Sequence, residues 1–545
     1  MARNPKSAPT DVLSAREIRT YTFRAGLVRT EGGLMELVSE GYTYVLGALV
    51  LVVMSGALVV RLRESLGLAA EPGWAASAVS AGFEHLAPEQ AAATLLLTLA
   101  AALLGVELSL GPIAMTVPQT SWWLPLPVHR RGFIQPGFIR SVLWPALAGA
   151  AVALVLALGL EGTTDPGRLG LASLCAAALA VLVHALASWA QITGGGAWLR
   201  PVAGAVTVLA PLSLVATALY NAAGGSADLG WMVALPTGWP LLVASGSLWP
   251  LVVLAAAGMA LAWVHARLEQ ISTARLRASA LAASYVAGSV LSMDASELAR
   301  SLGPASLSGA GPRIRIRLVH PRGTAMARAV KTLLSAQLAM QLRQPARLLR
   351  ALVLATLPAS LASVQFLGNA VLVAVVVYFC AHAAVVSLGA TARFAASNPS
   401  VDALMPLPER IVRRVHWVVP ATGMVLWCGT AFVLLTMLGV GSPALVVLAV
   451  LAGPGLGAAT IRAAFRPAPD WTMPAVSTAM GPVPTGAVRS FLVGPDLTLI
   501  TLLPVLICLV SGGVPSVAYP AQLLLSLLAF LWGTRLRRRA QPAGR

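Results

Sequence analysis

Lysine is almost missing from this chain: of 38 basic residues only Lys6 and Lys331 are lysines. A phosphate-cradling GxxxxGK[ST] loop needs a lysine behind a glycine-rich turn, and neither position has one. The chain is therefore expected to bind no ATP and to carry no enzymatic site of that kind. Charge of either sign is scarce as well, 11% of 545 residues, while 57% are hydrophobic and mean hydropathy is +0.79. That balance excludes a string of soluble domains and fits an all-helical polytopic membrane protein. Cysteine is rare. Cys175, Cys380, Cys428 and Cys508 all lie in apolar runs with no CxxC, which points to small buried side chains rather than a disulfide framework or a metal site. Net charge is +18, yet the arginines fall in short clusters between apolar runs, a pattern that orients spans and argues against nucleic acid.

What is abundant is apolar sequence long enough to cross a hydrocarbon layer of about 30 Å. Twelve such stretches occur, near 42–60, 91–113, 142–160, 169–190, 202–223, 241–265, 351–367, 369–391, 417–439, 443–461, 496–512 and 516–533. With the N-terminus inside, the alternation places 35 of the 38 basic residues on the cytoplasmic side, leaving Arg61, Arg63 and Arg168 outside. This is the bias of the positive-inside rule, and it predicts twelve spans with both ends cytoplasmic. The first 41 residues are polar, so no cleaved signal peptide is expected, and the location implied is the plasma membrane, multi-pass.

The longest polar stretch, 266–350, divides the spans six and six. "PLP" at 125–127 recurs at 406–408, and the same offset of 281 carries the second and third spans onto the eighth and ninth. We expect a six-span unit repeated in parallel: residues 1–265, a cytoplasmic linker region at 266–323, and a second unit at 324–545. A basic amphipathic helix leads each unit. Ile18, Tyr21, Ala25 and Val28 stripe the first, which Gly32 and Gly33 end; Met326, Val330, Leu333 and Leu338 stripe the second. Such helices suit the lipid headgroup boundary. Residues 313–317, "RIRIR", alternate as a half-buried strand does.

Two short loops interrupt the apolar sequence at matching addresses. "SWWLPLPVHRRGF" (121–133) lies between spans two and three, and "LMPLPERIVRRVHWV" (404–418) between spans eight and nine. In each, prolines start a turn, apolar side chains protrude and an arginine pair follows, a form suited to docking into a groove on a partner. The candidate coupling residues are Trp122, Trp123, Leu124, Pro125, Leu126, Pro127, Arg130 and Arg131 in the first loop, and Leu404, Pro406, Leu407, Pro408, Arg413 and Arg414 in the second. The second loop departs from the first by placing Glu409 where Val128 stands and its arginines about two residues later. The alternative for both is an interfacial tryptophan belt with a proline stop.

With its leading helix, the six-span unit and the "LPLPVHRRGF" loop, the chain resembles the permease subunits of ABC-2-type transporters, here two units fused. It resembles in particular uncharacterised actinobacterial permease-like membrane proteins of the same double length. The resemblance implies that the loops are coupling helices engaging a separate ABC ATPase subunit, which would hold the ATP and magnesium, and that the direction is export. It leaves no cofactor on this chain, with membrane lipids and the ATPase as partners.

Two other readings stand beside it. An ion-coupled secondary transporter needs ionisable groups within the bilayer, for which Glu107, His184 and His382 are the candidates; each is otherwise an interhelical hydrogen bonder. A membrane enzyme or scaffold would look to Glu64, Glu71, Glu84, His85 and Glu89 in the outer loop at 61–90, which otherwise reads as a solvated acidic loop.

Overall fold

The computed structural model describes residues 14–29, 87–158, 165–291, 324–363, 370–398, 400, 403–466, 473, 475–478 and 481–535. In chain order the helices are α1 (Ala15–Arg29), α2 (Pro88–Leu110), α3 (Val117–Trp122), α4 (Arg131–Leu156), α5 (Pro166–Thr193), α6 (Gly196–Ala222), α7 (Gly230–Ala234), α8 (Trp239–Ala244), α9 (Val252–Ala266) and α10 (Thr273–Leu291). There follow α11 (Ala325–Leu342), α12 (Pro345–Ala362), α13 (Ala370–Leu388), α14 (Ala390–Ser397), α15 (Glu409–Met437) and α16 (Pro443–Ala464). A two-stranded antiparallel ladder, β1 (Ala475–Thr478) with β2 (Gly481–Pro484), precedes α17 (Thr485–Leu492), α18 (Pro495–Ser511) and α19 (Ala518–Gly533). Among the described residues eight helices are long and apolar enough to cross a membrane, or nine if α11 and α12, bent by 71°, make one span; α18 and α19 are shorter apolar helices. The chain is a polytopic, essentially all-helical membrane protein.

Helix ends follow local chemistry. Asp165 caps α5 by accepting from the Gly167 N–H at 2.9 Å, Pro166 pre-sets the first turn, and Gly194 at φ +93° stops the helix 28 residues later. Ser14 and Glu17 form a reciprocal capping box on α1: the Ser14 N–H donates to Glu17 Oε2 at 2.7 Å, and the Glu17 N–H to Ser14 Oγ at 3.3 Å. Those bonds, led by the Ser14 backbone N–H, hold the Glu17 carboxyl below its ordinary value.

Packing in the two halves runs in parallel. In the first, α4 lies along α5, α2 packs on α6 and α5, α5 packs on α9, and α1 touches α4. In the second, α15 lies along α16, α13 packs on α18 and α16, α16 packs on α19, and α11 touches α15. The halves meet where α6 packs on α12, with the Ser360 hydroxyl donating to the Pro211 carbonyl at 3.2 Å. Of the eight candidate spans the most buried is α16, whose Gly453, Gly455 and Gly457 let α15, α18 and α19 approach closely.

Several sequence expectations need correction. The sixth span, read as 241–265, is broken: α8 is a separate buried turn that ends before Gly246 at φ +113°, and the apolar helix long enough to cross begins at Trp249. Leu268, Ile271 and Leu276, in the segment that follows α9, are buried in one cluster with Ile113, Phe133 and Ile134. On α1, Tyr21 faces outward and Ala15 and Ile18 make the contact. On α11, Met326 and Leu338 face outward; the buried face runs through Leu333, Gln337 and Gln341 because Gln337 meets His416 Nδ1 at 2.6 Å. The first expected span (42–60), the loop carrying Glu64, Glu71, Glu84 and His85, Gly32, Gly33 and the strand at 313–317 lie outside the described residues.

Candidate functional site: the two arginine loops

The first loop is built on its own chain. A capping box, with the Thr116 N–H donating to Gln119 Oε1 at 3.0 Å, starts α3, and a 2.8 Å bond from the Val128 N–H to the Leu126 carbonyl closes the turn around Pro127. Trp123 stacks on Phe133, ring centroids 5.2 Å apart. Leu124 is only 4% exposed, packed in a cluster with Ile113, Phe133, Ile134, Leu268 and Leu276, so it anchors the loop inward and presents nothing to a partner. Outward stand Trp122, 76% exposed, and Pro125, Leu126 and Pro127. Gly132 is the floor on which α1 rests: a Cβ there would lie 2.6 Å from that of Ala15.

The second loop is anchored from beneath as well. Met405 and Leu407 pack, with Ile411, Val412 and Val415, against Val330, Leu333 and Leu334 of α11. Leu404 is 86% exposed, and Pro406 and Pro408 are exposed beside it.

Each arginine pair is divided in the same way. Arg131 donates to His265 Nδ1 (2.9 Å) at the end of α9, and Arg413 donates to the Arg535 carbonyl (2.9 Å) just past α19. Arg413 also lies over the Phe465 ring at 4.4 Å. One arginine of each pair thus ties the loop to the last helix of its own half. Of the others, Arg414 is exposed and Arg130 is half-buried as the residue preceding α4. A guanidinium only donates, so His265 Nδ1 accepts, and the ring nitrogen left for a proton is Nε2.

Clefts flank the first loop on both sides. One of about 1120 Å³ runs between α1, α3, α4 and α10, with Arg16, Arg19 and Arg140 among its lining; another of about 950 Å³ lies beside Leu126, Arg130 and Glu269. At the same end Arg275 caps α5, donating to the Gln191 and Ile192 carbonyls at 2.7 Å, and Arg200 donates to the Leu108 carbonyl at 2.6 Å. No three of His, Cys, Asp and Glu gather to hold a metal among the described residues. The four cysteines are free and buried.

The model of the Family of unknown function (DUF6297) matches residues 84–474. The chain belongs to that family. The DUF6297 match takes in both loops, α2 to α16 and the bent pair α11–α12, and stops short of α17, α18 and α19. No curated protein and no solved structure matches the chain.

Two polar contacts of this DUF6297 chain escaped the sequence reading. Glu107 and His184, read there as separate candidates, are in contact at 3.1 Å. Arg462 and Asp496 form a close pair, with NH2 2.5 Å from Oδ2 and the Arg462 guanidinium over the Trp532 ring. Neither has a fixed spacing in sequence, since the partners lie on different helices; the available signal was an ionisable residue inside or at the edge of an apolar run. His382 meets Thr498 at 3.3 Å instead of another ionisable group.

Proposed function

We propose that this chain is the membrane component of an ABC-2-type exporter: two six-span units fused, twelve spans in all, driven at the plasma membrane by a separate ATPase. The carrying observation is the matched construction of the two loops. Each follows the same relative helix, rests on the helix leading its half, sends one arginine to the last helix of that half, and holds a large apolar side chain outward. The parallel helix pairings of the halves support the repeat. In this reading a push on a loop moves α4 or α15 together with the last helix, because Arg131 or Arg413 joins them. ATP and magnesium belong to the partner.

The test uses the outward side chains and leaves the anchors intact. Trp122→Glu and Leu404→Glu are expected to insert and fold as the parent does and to weaken ATPase association about tenfold or more each, as removal of an interface anchor does. Unchanged ATPase binding by both variants would leave the loops as interfacial anchors only.

An ion-coupled secondary transporter is the second reading, favoured by the contact between Glu107 and His184.

A further inference from the structure

A buried three-residue cluster lies apart from the loops. His184 on α5 is 1% exposed; its Nδ1 is 3.1 Å from Glu107 Oε1 on α2, and its Nε2 is 3.2 Å from the Ser141 hydroxyl on α4. Ser141 Oγ is also 2.8 Å from the Phe138 carbonyl one turn back. A hydroxyl has one hydrogen, so it donates to either the carbonyl or the imidazole. Glu107 Oε2 is buried and accepts no hydrogen bond from the described residues, although the side chain as a whole is 13% exposed. A carboxylate half-satisfied in an apolar layer is costly unless its charge is balanced.

These facts define two arrangements that differ by one proton. In the first, Ser141 donates to His184 Nε2 and the Nδ1–H donates to Glu107, giving a net charge of −1. In the second, the proton sits on Nε2 and is donated to Ser141 Oγ, while the Ser141 hydroxyl turns to the Phe138 carbonyl. The imidazolium and carboxylate then sum to zero. Placing the added proton on Glu107 Oε2 instead would give it no acceptor among the described residues. No covalent bond between heavy atoms changes, and the proton comes from water.

We propose that Glu107, His184 and Ser141 form a buried proton-exchange site in which uptake of one proton onto His184 turns the Ser141 hydroxyl from the imidazole to the Phe138 carbonyl. Several cations and a histidine lie on the elements packed around it. Arg200 of α6 holds the carbonyl next to Glu107, His265 of α9 stacks across Phe138 at 6.2 Å with Arg131 behind it, Arg275 of α10 caps α5, and Arg140 of α4 lines the neighbouring cleft. The site ties α2, α4 and α5 together, so its protonation changes what holds three helices. The repeat offset sets Leu388 and Thr422 against Glu107 and Ser141, so the second half carries no carboxylate at the position of Glu107. The proposal does not depend on an ATPase partner.

The test is solid-state NMR of the full chain, ¹⁵N-histidine labelled and reconstituted in lipid, with the His184 signal assigned by its loss in His184→Asn. As the medium is taken from about pH 9 to about pH 5, the expected result is a change of His184 from the neutral Nδ1–H tautomer to imidazolium, and a displaced or lost change in Glu107→Gln. Ser141→Ala should move the midpoint too, by less, since the hydroxyl serves both arrangements. A His184 signal fixed in one state across that range in the parent chain would overturn the proposal whether or not the variants fold. So would a midpoint unmoved in a folded Glu107→Gln chain.

Discussion

Arg462 is the only described residue on α16 with a carboxylate partner, and it shows how one side chain can hold a helix end. It donates through NH2 and Nε to Asp496, which also receives the Gly494 and Leu497 N–H groups at 2.8 and 2.6 Å, and its guanidinium covers Trp532. Removing the arginine leaves a part-buried carboxylate without its cation, and hydrogen bonds to charged groups are worth about 1.5–3 kcal/mol each. Arg462→Ala should lower the thermal midpoint measured in detergent, and Arg462→Ala with Asp496→Asn should recover part of the loss. No loss in the single variant would show that the pair is solvated. At this scale the sequence was legible where a residue type carries one meaning, as with the four buried cysteines. It was silent on partners: nothing in the spacing joins residue 107 to 184 or 462 to 496, because such contacts are set by helix packing. Leu124 illustrates the opposite error, an apolar side chain in a loop expected to protrude but needed to anchor the turn.

Among the elements, α16 depends most on having no side chain at chosen positions. A Cβ on Gly457 would sit 2.5 Å from the Ala421 Cα, and one on Gly453 2.7 Å from the Val425 Cα, both in α15. Backbone at that distance has no rotamer to adopt, so a larger residue must separate the helices. Gly457→Val should destabilise by about 1–3 kcal/mol or more, read as a lower thermal midpoint. Gly258→Ala, which meets nothing within 4 Å, should be nearly neutral. Equal effects from the two would contradict the close packing. Long apolar elements were legible because a bilayer demands a run of fixed length: α2, α5 and α16 lie within a few residues of 91–113, 169–190 and 443–461. The failures had local causes. Gly246 breaks a run whose hydropathy is continuous, and the buried face of α11 follows Gln337 and Gln341 rather than its apolar stripe.

For the whole molecule, the central claim is that two similarly built halves each offer a loop to an ATPase on the same side of the membrane. The halves are alike in helix order and pairing but unlike in detail. The first carries the histidine cluster and the α10 brace, and the second carries the tight glycine helix and the Arg462–Asp496 pair. The repeated PLP and the even charge alternation are what the sequence offers toward two related units, whereas the contacts in which the halves differ left no mark in it, since they are set between helices. The most direct measurement is the native mass of the tagged chain extracted from its own membrane in mild detergent. The account predicts one copy of the chain carrying two nucleotide-binding subunits, one per loop. A particle of the chain without any ATPase, from cells in which both are expressed, would contradict it.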